Sequence, residues 1–163
     1  MEVKTVSLKD FLTLPVTEVY DKEDIKSHIP HREPFLFVDE IRILEKNNKY
    51  IGVYHVNPDD NFFKGHFPGH PVMPGVLVIE SMAQACGGAV MHDLCKGKKM
   101  VPLFLSIEQA KFRGMVCPGD VLEMPIQILR LGRISKAYSE AYVNGKLCTQ
   151  ATLNFILGDS PND

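Results

Sequence analysis

Residues 76–94, VLVIESMAQACGGAVMHDL, put small or apolar side chains on nearly every side of a helical projection, with Glu80, Ser81 and Gln84 as the main polar interruptions before His92. Pro74-Gly75 stands directly before them and suits a helix start. A helix that is apolar all round has no face to give to water and must be buried. A chain of 163 residues is long enough for one hydrophobic core and short for two. The helix is therefore expected at the centre of a single domain spanning 1–163, with a sheet wrapped over it.

The rest of the chain supplies that sheet. Residues 34–45 (PFLFVDEIRILE) and 49–56 (KYIGVYHV) are rich in aromatic and β-branched side chains and are parted by the polar turn Lys46-Asn47-Asn48, which predicts two strands. After the helix, residues 103–112, 121–131, 136–143 and 146–157 alternate with period two and predict four more. Asn144-Gly145 is a strong hairpin signal, because a type I′ turn needs positive φ at both central positions. Pro118-Gly119-Asp120 marks another turn. Ahead of all this, residues 7–14 and 21–28 can form short helices, and residues 1–20 are expected to be an N-terminal lead-in. The resulting class is α+β, an antiparallel sheet wrapped around one long central helix.

Charge and cysteine usage narrow the function. A formal net charge of -2 gives no field that would gather nucleic acid or an anionic membrane, so neither is expected as a partner. No apolar run approaches the length of a membrane span, and the first twenty residues have no uninterrupted apolar stretch of the secretory kind, so a cytoplasmic protein is expected, or the mature form of an organellar one. Cys86, Cys95, Cys117 and Cys148 form no CxxC pair, so reduced thiols are expected rather than a zinc knuckle or redox dithiol.

Chemistry concentrates in residues 62–84. Prolines and glycines interrupt residues 62–75, which are expected to be one shaped loop carrying His66 between glycines. Such a loop can fix an imidazole, the side chain whose ordinary pKa lies nearest neutrality, as a general base requires; it can equally hold a histidine satisfied by loop hydrogen bonds. Glu80, one to two turns into the apolar helix, must be paired, hydrogen-bonded or kept neutral if it is buried. A neutral carboxylic acid there would be a proton donor, whereas a Glu80 that reaches the surface would be structural. Gln84, one turn on, lies on the same face. Gly75 heads the helix, where unpaired N–H groups and the positive end of the dipole can polarise a carbonyl. His66 and His70 suggest a metal only weakly: Pro68-Gly69 between them excludes helical HxxxH geometry, and no third ligand follows, so no metal is expected.

The unbroken segment GHFPGHPVMPGVLVIESMAQ, residues 65–84, resembles the signature of the 3-hydroxyacyl-acyl-carrier-protein dehydratases of the FabZ type, which are hotdog-fold enzymes. Further matches are Ile29-Pro30-His31-Arg32, residues 34–39, Lys111-Phe112-Arg113 and Pro118-Gly119-Asp120, so the likeness spans roughly residues 24–157. The resemblance implies dehydration of (3R)-3-hydroxyacyl-carrier-protein to the trans-2-enoyl thioester in type II fatty-acid synthesis, with no cofactor. His66 would take the C2 proton, Gly75 would donate its N–H to the thioester carbonyl, Glu80 would protonate the departing hydroxyl, and Gln84 would orient Glu80. Each site would join His66 of one subunit to Glu80 of another, in a dimer and in a trimer of such dimers. Glu80 and Val76 set the chain apart from the isomerase-competent branch, which has Asp and Cys there; Leu103 stands where many relatives carry a tyrosine near the tunnel mouth.

An acyl chain needs a dry channel, which Phe67, Met73, Phe104 and Phe112 could line if they are not simply core. An acidic acyl carrier protein is the implied partner, with Lys111 and Arg113 expected to dock it and Arg32 and Lys64 as further basic neighbours. Two other readings use related chemistry or the same fold: a thioesterase or enoyl-CoA hydratase, and a non-catalytic acyl-thioester sensor. The second needs a DNA-binding module that residues 1–20 are too short to provide.

Overall fold

The computed structural model describes residues 7–160. Its elements are α1 (Leu8–Phe11), β1 (Glu18–Tyr20), α2 (Lys22–His28), β2 (Glu40–Glu45), β3 (Lys49–His55), α3 (Phe62–Gly65), α4 (Gly75–Cys95), β4 (Met100–Phe112), β5 (Val121–Arg130), β6 (Ile134–Val143) and β7 (Lys146–Asp159). The seven strands form one antiparallel sheet in the order β1-β2-β3-β5-β6-β7-β4. It wraps α4, as the apolar helix requires.

Close packing of helix on sheet depends on small residues. A Cβ on Gly52 of β3 would lie 2.5 Å from the Ala85 Cβ of α4, and one on Gly88 would lie 2.7 Å from Ile41 Cδ1. The inner faces of the strands supply Ile41, Tyr50, Leu122, Met124, Ile126, Ala137, Leu153 and Phe155 to the core around α4. Asn144 and Gly145 take φ of 50° and 76°, the positive pair that the β6–β7 hairpin needs.

The sheet's other face has its own cover. Leu8 and Phe11 of α1 pack on Leu44, Ile51, Val53 and Tyr138. On that side Glu140 is wholly buried, and its two carboxylate oxygens accept hydrogen bonds from the Tyr138 hydroxyl at 2.9 Å and the Tyr142 hydroxyl at 2.6 Å.

Of the expected lead-in, residues 1–6 lie outside the described residues, and residues 7–20 join the sheet through α1 and the edge strand β1. Two expectations need correction. The expected strand over residues 34–45 begins only at Glu40. Ahead of it the Phe37 N–H donates to Gln84 Oε1 and the Phe37 carbonyl accepts from Ser81 Oγ, so α4 side chains take the groups a ladder would have used. The loop expected over residues 62–75 opens with the helical turn α3, possible because Pro68 comes later.

Candidate active site

His66 follows α3 directly. Its N–H donates to the Phe62 carbonyl, Phe67 and His70 exchange backbone hydrogen bonds at 3.0 and 2.8 Å, and Val72 N–H returns to the His66 carbonyl at 2.8 Å. Gly69, at φ 73°, makes the turn inside this ring of bonds. The imidazole is gripped twice: Nδ1 lies 2.7 Å from the Val72 carbonyl, and the Phe67 ring stacks on it at 3.9 Å. A carbonyl only accepts, so Nδ1 carries the proton and Nε2 presents a lone pair. The loop thus holds the imidazole in the tautomer that a general base would need.

The His66 cavity reaches Met73, Gly75, Val76, Phe112 and Val116. Gly75 opens α4, where its N–H has no intrahelical acceptor. The Phe112 ring covers it so closely that a Cβ there would come within 2.7 Å of two ring carbons.

Glu80 opens into a different cavity, with His31, Ala83, Gln84, Gly87, Pro102, Phe104 and Phe155. Its side chain is 17% exposed. Gln84 Nε2 donates to Glu80 Oε1 at 3.0 Å and to the Phe35 carbonyl at 3.1 Å, while Gln84 Oε1 accepts from Phe37 N–H at 2.7 Å. That last bond fixes which way round the amide stands, since only its oxygen can accept. His31 Nε2 approaches the same Glu80 oxygen at 3.5 Å. Elsewhere on α4, burial pushes the Cys86 thiol up to about 12, so it stays neutral.

Within one chain, then, His66 and Gly75 share one cavity and Glu80 and Gln84 share another. Phe112 and Met73 line the first and Phe104 the second; Phe67 is half exposed against His66. Lys111 pairs in register with Gln150, opposite Glu140 on the face turned away from α4, and Arg113 Nε donates to Gln150 Oε1 at 2.9 Å. Arg32 is engaged by the carbonyls of Lys26, Ile29 and His31, whereas Lys64 is exposed at the end of α3. Leu103 is exposed on β4. Beyond its place in the Ile29-Pro30-His31-Arg32 match, His31 carries no sequence signal; nothing in its spacing announces a contact to Glu80, forty-nine positions away. No group of three or more metal-ligating side chains is assembled among the described residues, and no described helix is long and apolar enough to cross a membrane.

A family model described as a FabA-like domain matches residues 29–152. The 3-hydroxyacyl-[acyl-carrier-protein] dehydratase FabZ of Desulforamulus reducens is 42% identical over 139 residues, covering 85% of this chain and 97% of that protein. The protein of the same name from Syntrophotalea carbinolica is 44% identical over 142 residues, covering 86% and 96%. Among solved structures, a chain of the dehydratase heterocomplex ApeI:P from Xenorhabdus doucetiae matches with a TM-score of 0.71 at 20% identity, covering 83% of this chain and 91% of that one. Cj0977, a sigma28-regulated virulence protein from Campylobacter jejuni, matches at 0.57 and 11% identity, covering 83% and 88%. At those identities the two structures bear on fold alone, which is the hotdog fold.

Proposed function

The chain belongs to the FabA-like family, among the 3-hydroxyacyl-[acyl-carrier-protein] dehydratases FabZ, and on that premise we propose that it removes water from (3R)-3-hydroxyacyl carrier-protein thioesters in fatty-acid synthesis, using His66 as base and Glu80 as acid. The lone pair on His66 Nε2 takes the C2 proton. The Gly75 N–H, at the positive end of α4, holds the thioester carbonyl as it gains enolate character. The C2 electron pair forms the C2–C3 double bond, the C3–O bond breaks, and the oxygen leaves as water with a proton from Glu80. His66 ends as imidazolium and Glu80 as carboxylate, and proton exchange with solvent resets both. No step calls for a metal or organic cofactor.

The observation that carries this reading is the complementarity of two half-sites. Among the described residues, a base with its lone pair free stands beside a helix N-terminus, and a carboxyl with one oxygen free stands in an apolar cavity, yet one chain opens them into separate cavities. We therefore take the dimer as the catalytic unit. The strand β4 supports it: thirteen residues long and at the sheet edge, it exposes Leu103, Phe104, Leu105, Ile107 and Phe112. A long apolar edge left bare invites strand pairing, and a two-fold partner would continue the sheet across it. A trimer of such dimers, a cytoplasmic location, a channel lined by Phe67, Met73, Phe104 and Phe112, and carrier docking at Lys111 and Arg113 complete the proposal.

The test uses 3-hydroxybutyryl carrier protein and the absorbance of the enoyl product. His66→Ala and Glu80→Gln should each lower kcat at least about 100-fold. Mixing the two inactive proteins should return activity, because each heterodimer regains one of its two sites. Near-native turnover in either single variant would sink the assignment, and no recovery after verified subunit exchange would place each site within one chain.

A further inference from the structure

We propose that His31 is a positioning residue for Glu80, donating its Nε2–H to Oε1 so that Oε2 is the oxygen that carries the catalytic proton. The inference rests on the assignment of Glu80 as the acid and goes beyond it by naming the group that aims it.

Two observations converge on this imidazole. Its Nε2 is 3.5 Å from Glu80 Oε1, and its Nδ1 is buried with no hydrogen-bond partner among the described residues. Buried N–H groups are seldom left without an acceptor, and a bare lone pair is the easier state to bury. The tautomer that fits carries its proton on Nε2, the atom facing Glu80. At 3.5 Å the two atoms are in close contact and no hydrogen bond is yet formed; catalytic hydrogen bonds are often long in unliganded sites and tighten in the substrate complex.

The ring is not free to wander. Ile29 N–H closes the end of α2 on the Ile25 carbonyl, and the Arg32 guanidinium ties together the carbonyls of Lys26, Ile29 and His31 at 2.7 to 3.0 Å. Gln84 approaches Oε1 from its own side at 3.0 Å. Two N–H donors on one oxygen favour the acid proton on the other, because a hydroxyl at Oε1 would meet donors rather than acceptors. Oε2 is thereby assigned to the substrate.

His31→Phe keeps a flat ring and removes the donor; His31→Gln restores an N–H near the position of Nε2. Charge develops on Glu80 as its proton leaves, and a hydrogen bond to a charged group is worth about tenfold to a hundredfold in an equilibrium or rate, so His31→Phe should lower kcat by that much while KM stays within about threefold. His31→Gln should recover most of the loss, and melting temperatures should report that both variants fold. Native kcat in His31→Phe, or a His31→Gln as slow as His31→Phe, overturns the donor role. Failure of the underlying reading looks different: there the native protein gives no enoyl product, or Glu80→Gln keeps its turnover. Should His31→Phe fail to fold, His31→Gln set against His31→Leu makes the same comparison, with equal kcat in the two overturning the proposal.

Discussion

Substituting Gly75 by Ala separates chemistry from stability. The new Cβ would stand 2.7 Å from Phe112 Cδ1 and Cε1 and 3.5 Å from Cγ. Carbon atoms rest at about 3.5–4.0 Å, so the ring must retreat by roughly 1 Å. In the single chain Phe112 is 55% exposed at the end of an edge strand, so it can swing aside to the extent that the proposed partner strand leaves it room. An off-rotamer side chain costs about 0.5–1.5 kcal/mol. Alanine in place of glycine in a helix returns up to about 1 kcal/mol. The two nearly cancel, and the melting temperature should move by no more than about 2–4 °C in a chain of this size. Catalysis should not be spared. In the proposed role of Gly75 a thioester oxygen comes within about 2.7–3.1 Å of the N–H, and a methyl with a displaced ring would flank that approach. A 1 Å misplacement costs on the order of a hundredfold, which is the expected fall in kcat/KM. Calorimetry and the enoyl absorbance assay measure the two quantities on one preparation. Turnover within about threefold of native would refute the claim that substrate meets the backbone at Gly75, and a collapse of the melting temperature would refute the claim that Phe112 gives way cheaply.

Gly52→Ala should behave in the opposite sense, because the 2.5 Å contact is with the Ala85 Cβ, fixed to a buried helix. Overpacking of about 1–3 kcal/mol exceeds the 0.4–1 kcal/mol that alanine gains by restricting the unfolded chain, so denaturant titration should show net destabilisation; a variant as stable as the native protein would contradict it. Burial pushes the Tyr50 hydroxyl up to about 12, and burial followed by the bond to Glu140 does the same for Tyr142. Folding thus holds these protons longer than the unfolded chain, whose tyrosines titrate near 10. Their stabilisation is complete below about pH 10 and is lost as pH rises towards about 12, so the melting temperature should fall through that window and fall less in Tyr142→Phe; an unchanged slope would count against it. Reversing Lys111 and Arg113 to Glu should raise KM for the carrier-protein substrate and leave a short pantetheine thioester little changed, with added salt mimicking the reversal in the native protein. Equal loss on both substrates would move the docking site elsewhere.

The central helix and the later strands were legible because their signals are local. An all-apolar run after Pro74-Gly75 and the Asn144-Gly145 turn each depend on neighbours in the chain, and α4 and the β6–β7 hairpin stand where those signals put them. Residues 34–39 misled for the opposite reason. Their composition suits a strand, but their backbone is claimed by Gln84 and Ser81 from α4, more than forty positions away. The burial of Glu140 was equally hidden, since it depends on α1 lying across the far face of the sheet. At the site, the segment of residues 65–84 marked His66, Gly75, Glu80 and Gln84 as candidates. The approach of His31 to Glu80 requires the fold to bring the end of α2 against the helix.

The hydrogen bonds of Gln84 and Ser81 to the segment Phe35–Phe37 all fall on main-chain atoms: a carbonyl of Phe35, and the N–H and carbonyl of Phe37. Every non-proline residue presents those same groups. Random substitution at the half-exposed Phe35 therefore leaves the hold on the Glu80 carboxyl untouched, whereas inserting or deleting one residue would shift the carbonyl and the N–H out of step with the amide. The Glu80 carboxyl is insulated from drift in side-chain identity and sensitive to drift in loop length.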